Sequence, residues 1–352
     1  MQKTIKIKLV PTKEQQTILD KTSKEYINTT NMLVSEMVKA EKVLNISTKE
    51  FFAYLPSAVK NQCIRDAKSI YKKHNKGVTK TIAVLKKPVC IWNNQNFSIE
   101  ENTISFPVWL GKSKKISIKA LIPNQYQEML KGKLGALRIT KKSNKYIAQI
   151  TLEVLEQDTQ GTNSMGIDLG IKVPAVCVTS NNKVKFIGSG RENKYIRRYF
   201  KTKRKALGKA KKLNAIRKLN NKEQRIMQDK DHKYSRQIVN FALGNNVSVI
   251  RLEELANIRN TTRTSRKNNH SLHNWSFYRL AQFISYKAKL VGIRVEYVDP
   301  KYTSQICPCC GEKNKAKDRT YSCKCGYTTH RDKVGAINIL NSPVIHGNSV
   351  SA

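Results

Sequence analysis

Ser164-Met165-Gly166-Ile167-Asp168-Leu169-Gly170-Ile171 is the stretch on which the fold turns. Pro174-Ala175-Val176-Cys177-Val178 follows it, and Val184-Lys185-Phe186-Ile187 comes next. The spacing predicts a three-strand meander opening an α/β domain, with Asp168 inside the first strand. A carboxylate among apolar strand residues is unfavourable unless a cation holds it there. In a chain this basic the cation is either an Arg or Lys side chain or a metal ion. Taken alone, the stretch also reads as an ordinary turn-strand-turn.

The chain has 352 residues, and its 66 Lys and Arg against 25 Asp and Glu leave a net charge of +41. That length allows two or three domains with a sizeable core. Such an excess spreads an attractive field for polyanions over most of the surface, so nucleic acid is the expected partner. An anionic membrane surface is the alternative, but no long helix with a strong apolar face supports it. No run approaches the length of an apolar membrane span. Met1 to Val10 alternates Lys with Ile where a secretion signal would carry an apolar block. A cytoplasmic protein is expected, in which clustered cysteines point to metal rather than disulfides.

Outward from the meander, the first half changes period twice. Ile5, Ile7 and Leu9 alternate with Lys6 and Lys8 as a half-buried strand. Thr12 and Gln15 form a capping box for a helix carrying Ile18, Leu19, Leu33 and Met37. Ser47 and Glu50 predict a second helix start through Phe51, Phe52 and Leu55, which Pro56 interrupts or restarts before Val59, Cys63, Ile64 and Tyr71. Residues 12–76 thus read as a helical insertion. From Lys87 the period is two, with strands at Val89–Trp92, Asn96–Glu100, Thr103–Val108 and Ile116–Ala120. Leu134–Lys141 and Lys145–Leu155 form a hairpin across Lys142-Ser143-Asn144. Strands so spaced predict a small barrel, which Lys3 to Val10 completes.

Beyond the meander, Arg191 to Arg225 reads as a helical hairpin dense in Arg and Lys, with only Glu192 and Glu223 as acids. Pairing along the helix cannot neutralise it. Either it is a solvated face or it meets a phosphate backbone. Arg197, Arg198, Lys201, Lys203, Arg204, Lys205, Lys211 and Lys212 are the candidate nucleic-acid contacts. Val247 to Leu255 is a strand ending in acid, Glu253-Glu254, and Asn257 to His273 reads as a mobile loop. Trp275 to Val291 is a helix stopped by Gly292, its aromatics read as core, and Ile293 to Val298 is a further strand.

Five of the eight cysteines lie between Cys307 and Cys325. Cys307-Pro308-Cys309-Cys310-Gly311 holds a C-x-x-C-G knuckle, and Cys323-Lys324-Cys325-Gly326 follows after twelve residues. Four thiolates suit the tetrahedral preference of one structural zinc ion. Cys309 is an alternative to Cys307 or Cys310, and His330 is a substitute for a member of the tight second pair. Cys63, Cys90 and Cys177 read as ordinary buried residues.

Next comes Thr328-Thr329-His330-Arg331-Asp332-Lys333-Val334-Gly335-Ala336-Ile337-Asn338-Ile339-Leu340, a helix able to pack closely on a sheet. Asp332 in its first turn is favoured by the helix dipole alone. Yet an aspartate in an opening meander, a glutamate ending a later strand and an aspartate on a terminal helix match the RNase H-like order. There three carboxylates converge on two divalent ions about 3.5–4 Å apart that drive phosphodiester hydrolysis. Oxygen ligands suit Mg²⁺ or Mn²⁺ rather than zinc.

Gly166-Ile167-Asp168-Leu169-Gly170, Leu252-Glu253-Glu254-Leu255, Thr303-Ser304-Gln305 before the knuckle, and His330-Arg331-Asp332 before Gly335-Ala336-Ile337-Asn338 together resemble the TnpB family. These are RNA-guided nucleases of insertion sequences, related to the miniature type V CRISPR effectors. The likeness covers residues 160–341 in detail and the N-terminal half in outline. It implies a wedge β-barrel at 1–11 and 87–160 and a helical recognition domain at 12–86. It further implies a RuvC-like nuclease domain at 161–302 and 329–352, with a zinc ribbon inserted at 303–328. By the same resemblance Asp168, Glu253 and Asp332 are catalytic acids holding two Mg²⁺ or Mn²⁺, and Cys307, Cys310, Cys323 and Cys325 hold one structural zinc. The implied partners are a guide RNA from the transposon end and double-stranded target DNA with a short flanking motif. The implied setting is the nucleoid of a bacterium or archaeon. Glu254 is the alternative to Glu253, turned away by strand alternation. The tight Cys323-x-Cys325 pair and the short polar tail after Asn341 depart from the pattern. A miniature CRISPR effector, a nuclease-inactive guided repressor, a junction-type nuclease and a DNA-joining transposase are the competing readings. Chain length disfavours the first, and three intact acids disfavour the second.

Overall fold

Alternation along β1 (Gln2–Leu9) buries Ile5, Ile7 and Leu9 and leaves Lys6 and Lys8 outside. The computed structural model describes residues 2–78, 81–154, 161–219, 221–255, 265–316 and 318–347. It divides into two units, Met1–Leu155 and Glu156–Ala352.

In the first unit, α1 (Lys13–Lys39) starts at Thr12, whose side chain and that of Gln15 make the expected capping box. The predicted second start at Ser47 does not become a helix. Ser47 N–H donates to Glu50 (3.1 Å), so half of a box forms, but α2 begins only at Ser57 (Ser57–Asn75). The residue before a proline is pushed out of the helical region, so Pro56 leaves the run from Ser47 too short to propagate.

Strands β2 (Val89–Trp92), β3 (Ser98–Glu100), β4 (Thr103–Leu110) and β5 (Lys112–Leu121) follow. The unit ends with a short helix, α3 (Asn124–Leu130), and strands β6 (Leu134–Lys142) and β7 (Lys145–Glu153). Seven strands are ordered β2-β6-β7-β1-β5-β4-β3, with β1 in the middle. The β6–β7 turn is Ser143-Asn144, both at positive φ (49° and 57°), the geometry that matches strand twist in a two-residue hairpin. Leu155, expected in this hairpin, lies outside the described residues. Trp92 on one edge strand packs on Phe106 of β4 with ring centroids 4.5 Å apart, and its Nε1–H donates to Pro107 O (2.9 Å). Five strand spacings of a flat sheet would separate them by roughly 24 Å, so the sheet curls back on itself. Its ladder keeps β2 and β3 as edges.

The second unit opens with the predicted meander: β8 (Asn163–Asp168), β9 (Ala175–Thr179) and β10 (Val184–Ile187). Three helices follow where one hairpin is expected, α4 (Gly190–Lys209), α5 (Leu213–Leu219) and α6 (Lys222–Leu243). Lys211, at φ +53°, breaks the helical path between the first two. After β11 (Val247–Glu253), residues 257–264 of the expected loop lie outside the described residues, and Arg266–His273 is a helix, α7. Its composition carries no apolar period by which to recognise it. The rest is α8 (Phe277–Lys289), β12 (Arg294–Val298), β13 (Thr320–Ser322), β14 (Thr328–His330), α9 (Arg331–Asn341) and β15 (Val344–Gly347). The last strand falls in the tail read as merely polar, and it pairs with β12.

The six-stranded order is β10-β9-β8-β11-β12-β15, with β8, β11 and β12 parallel. Every residue of β9 is buried. Ala175 and Cys177 pack with Ile238 of α6 and Ile284 of α8, whereas Val176 and Val178 pack with Ala336 of α9. The sheet is thus covered on both faces, which explains the unbroken apolar run. Phe277 is buried and Trp275 packs against the same core, as expected for these aromatics. Among the described residues no helix is long and apolar enough to cross a membrane.

Candidate functional site

Asp168 and Glu253 end adjacent parallel strands, in a register that pairs Leu252 with Ile167 and so sets the two carboxylates side by side. The third acid arrives on α9, which lies against β8. Gly166 permits that approach, since a Cβ there would fall 2.2 Å from Ala336 O. Gly335 permits it from the other side, since a Cβ there would fall 2.8 Å from Asp168 Oδ2. Asp332 is 7% exposed in the first turn of α9. His330 caps the helix, its Nδ1 accepting from Asp332 N–H (3.2 Å).

Burial, then repulsion from Glu253 and Asp332, pushes the Asp168 carboxyl well above the usual carboxylate range; Arg331 and Arg319 only partly offset this. Burial likewise lifts Glu253 to about 7, opposed by a hydrogen bond from Thr303. Three acids crowded in this way, Asp332 buried and Asp168 and Glu253 half-buried, bind cations readily or hold protons instead.

Three groups that the sequence reading left without a role serve the acids. Thr303 Oγ–H donates to Glu253 Oε1. Asn338 holds that threonine in place, its Nδ2 donating to Thr303 O (2.6 Å) and Ile306 O (2.7 Å). Arg319 Nη1 donates to both oxygens of Asp332 (2.7 and 2.8 Å). Thr303 and Asn338 stand inside the motifs quoted above, but Arg319 lies in a polar run with no local signal. Glu254 faces elsewhere, with its Oε2 2.9 Å from His346 Nε2.

The four-cysteine element is built by turns. Gly311 N–H donates to Cys307 O (3.0 Å) and Gly326 N–H to Cys323 O (3.0 Å). Gly311 and Gly326 adopt φ of +76° and +89°, open to glycine at little strain. These turns bring the sulfurs of Cys307, Cys310, Cys323 and Cys325 within 4.8 Å of one another. Cys307–Cys325 is 3.7 Å and Cys310–Cys323 is 3.6 Å. A tetrahedral ion with Zn–S of about 2.3 Å requires sulfurs about 3.8 Å apart, so the set fits a metal such as zinc. The tight Cys323-x-Cys325 pair is accommodated by the turn at Gly326. Cys309 is exposed and outside the set, and His330 caps α9 with its ring against Phe186. Burial opposes ionisation of Cys307, but backbone N–H groups of Cys310 and Cys309 outweigh it and bring its thiol down to about 7. Tyr321, fully buried, donates from its hydroxyl to Gln305 O (3.1 Å) and packs on Cys307 and Cys323.

Of the candidate nucleic-acid contacts, Arg198, Lys201, Lys203, Arg204 and Lys205 are exposed on α4, and Lys211 and Lys212 are exposed just after it. Arg197 is half-buried and, with Arg204, shares Glu223.

Two family signatures match the chain: "Cas12f1-like, TNB domain" over residues 277–339 and "Probable transposase" over residues 140–259. TnpB-like protein MJ0751 of Methanocaldococcus jannaschii is 30% identical over 259 residues, covering 72% of this chain and 82% of that protein. The CRISPR-associated endodeoxyribonuclease Cas12f1 of Sulfoacidibacillus thermotolerans is 32% identical over 193 residues, 50% of this chain but only 44% of its own length. Among solved structures, the cryo-EM structure of a Cas12f1-sgRNA-target DNA complex superposes with a TM-score of 0.71 at 16% identity, covering 95% of this chain and 84% of that one. The mini-RNA-guided endonuclease CRISPR-Cas_phi3 superposes at 0.52 and 12% identity, covering 98% and 93%. These likenesses establish a shared mixed α/β fold.

Proposed function

The chain belongs to the TnpB family, and on that premise we propose that it is an RNA-guided DNA endonuclease of an insertion sequence. The observation that supports this most is the gathering of Asp168, Glu253 and Asp332 from two strands and a helix into one mutually repelling cluster. In this reading residues 161–302 and 329–352 form a RuvC-like nuclease domain, and 303–328 a zinc ribbon held by Cys307, Cys310, Cys323 and Cys325. Residues 1–11 and 87–160 form the wedge barrel, and 12–86 the recognition domain. The partners are a transposon-end guide RNA and duplex DNA with a short flanking motif. The sequence match to the TnpB-like relative spans 72% of this chain against 50% for Cas12f1, which favours the transposon enzyme over a CRISPR effector.

Asp168, Glu253 and Asp332 would hold two Mg²⁺ or Mn²⁺ ions. Bound there, such ions neutralise charge on the scissile phosphate and lower the pKa of a water. The chain's own residues set the stage. Thr303 donates to one oxygen of Glu253, and Asn338 fixes Thr303 through its backbone. Gly335 leaves room for the Asp168 carboxylate. Arg319 supplies Asp332 with a counter-charge from the cysteine element.

The test is to purify the full chain from cells, sequence the co-purifying RNA and assay programmed cleavage with Mg²⁺. Wild type cuts guide-matched DNA, and Asp168→Ala binds it without cutting. Cutting that ignores the guide, or absence of bound RNA, would overturn the guided reading.

A further inference from the structure

A cavity of about 210 Å³ lies between α4, α6 and α8, and none of Asp168, Glu253 and Asp332 lines it. Its walls carry Arg197, Arg204 and Arg279, with Glu223, Asn221 and Gln224 as further polar groups. Glu223 pairs with Arg204 at 2.7 Å and more loosely with Arg197 at 3.8 Å. Arg279 is anchored from behind, its Nε donating to Asp231 Oδ2 (2.7 Å). Asp231 is 2% exposed and takes a second hydrogen bond from Ser276 (3.2 Å) on its other oxygen. Arg279 Nη2 touches the same carboxylate (2.6 Å) but is buried without a hydrogen bond of good geometry. Three cations therefore face two acids, which leaves one positive charge over.

This is not an ordinary solvated charge run. The Arg197, Arg279 and Glu223 side chains are only 25%, 27% and 19% exposed. Burial, together with repulsion from Arg279, works against the charge on Arg197, and Glu223 and Asp231 oppose that effect. Crowding guanidiniums out of water is unfavourable unless an anion joins them. A phosphodiester brings one negative charge and the oxygens that guanidinium forks match in pairs.

We propose that this cavity is a binding site for one backbone phosphate of a nucleic-acid strand, with Arg197 and Arg204 as its donors. Arg279 is held ready by Asp231, and Glu223 is the resident counter-charge that the phosphate displaces. The proposal rests on the nucleic-acid reading above and assigns that contact to a built site rather than to the exposed lysines around it.

Its test is binding alone, by the nucleic-acid-stripped full chain, without divalent ions and across a salt series. The probes are a labelled single-stranded RNA and a labelled DNA duplex. Arg204→Gln and Arg197→Gln each weaken one probe several-fold and lower the slope of log K against log salt by about 0.7 for RNA or 0.9 for DNA, one phosphate's share. The probe that responds identifies the strand. Glu223→Gln, which removes the competitor, tightens the same probe; a purely structural ion network would instead lose stability with no gain in binding. Lys233→Gln, on an exposed residue paired with Asp229 at 2.8 Å, is the reference. Arginine variants that match this reference on both probes, Glu223→Gln without tightening, or wild type that binds neither probe would overturn the proposal. No cleavage is read, so a chain that binds but never cuts sinks the nuclease reading and leaves this result standing.

Discussion

The cysteine element and the acid cluster both crowd metal-ligand groups, but they are assembled by different parts of the fold. The four sulfurs lie between Cys307 and Cys325 and are gathered by two local turns at Gly311 and Gly326. The three carboxylates come from Asp168, Glu253 and Asp332, gathered by a parallel strand register and a helix resting on glycine contacts. Spacing along the chain therefore reveals the first and only hints at the second. The two are also tied together, since Arg319 of the cysteine element grips Asp332, and Asn338 beneath the acids holds the carbonyl next to Cys307.

The sharpest way to break the comparison is Cys310→Ser. If the element holds zinc as proposed, loss of one of four sulfurs should abolish zinc binding and unfold residues 307–330 locally, because structural zinc binding is itself folding free energy. Metal analysis and hydrogen exchange check this, and stripping divalent ions from the acids should leave exchange in 307–330 unchanged. If Cys310→Ser retains both zinc and protection, the local turns alone hold the element.

Gly335→Ala acts on the other centre. Its new Cβ would meet Asp168 Oδ2 at 2.8 Å, so we expect a loss of about 1–3 kcal/mol on thermal unfolding. Mn²⁺ affinity measured by calorimetry should fall by about 10–100-fold. Unchanged affinity would show that Asp168 is not confined by α9.

The acids also predict a pH dependence. A carboxyl whose folded pKa is raised binds its proton more tightly when folded, so it favours folding at low pH. Glu253, lifted from 4.5 to about 7, should make the metal-free protein less stable as pH rises through that window. The full effect is on the order of 3 kcal/mol, with a further contribution of the same sign from Asp168. Denaturant melts between these values test it. Asp168→Asn should flatten the slope, and an unaltered slope would mean that the acids are not coupled.

Thr303→Val should have the smallest effect, about 1 kcal/mol, by removing the hydrogen bond to Glu253. The pKa of Glu253 should rise further, which carbon-detected NMR of the carboxyl would read; an unmoved value would make Thr303 a packing residue only.

Much of the architecture was legible in the chain. The meander around Asp168, the capped helix from Thr12, the Ser143-Asn144 hairpin and the terminal helix with Asp332 each carry a local periodicity or turn chemistry. The misses have physical causes as well. Ser47 and Glu50 offered half of a capping box, but Pro56 stopped the helix behind it. The helix Arg266–His273 shows no apolar period, and β15 forms only because β12 offers an edge.

By itself the sequence determined most of the element types, the cysteine ligands as a small set of candidates, and the order of three acids, because each is written in neighbouring residues. Only the tertiary structure decided that Cys309 stays out, that Arg319 and Thr303 attend the acids, and that three arginines close on one cavity. Those relations join residues tens of positions apart, and sheet register and helix packing, not local preference, set the distances between them.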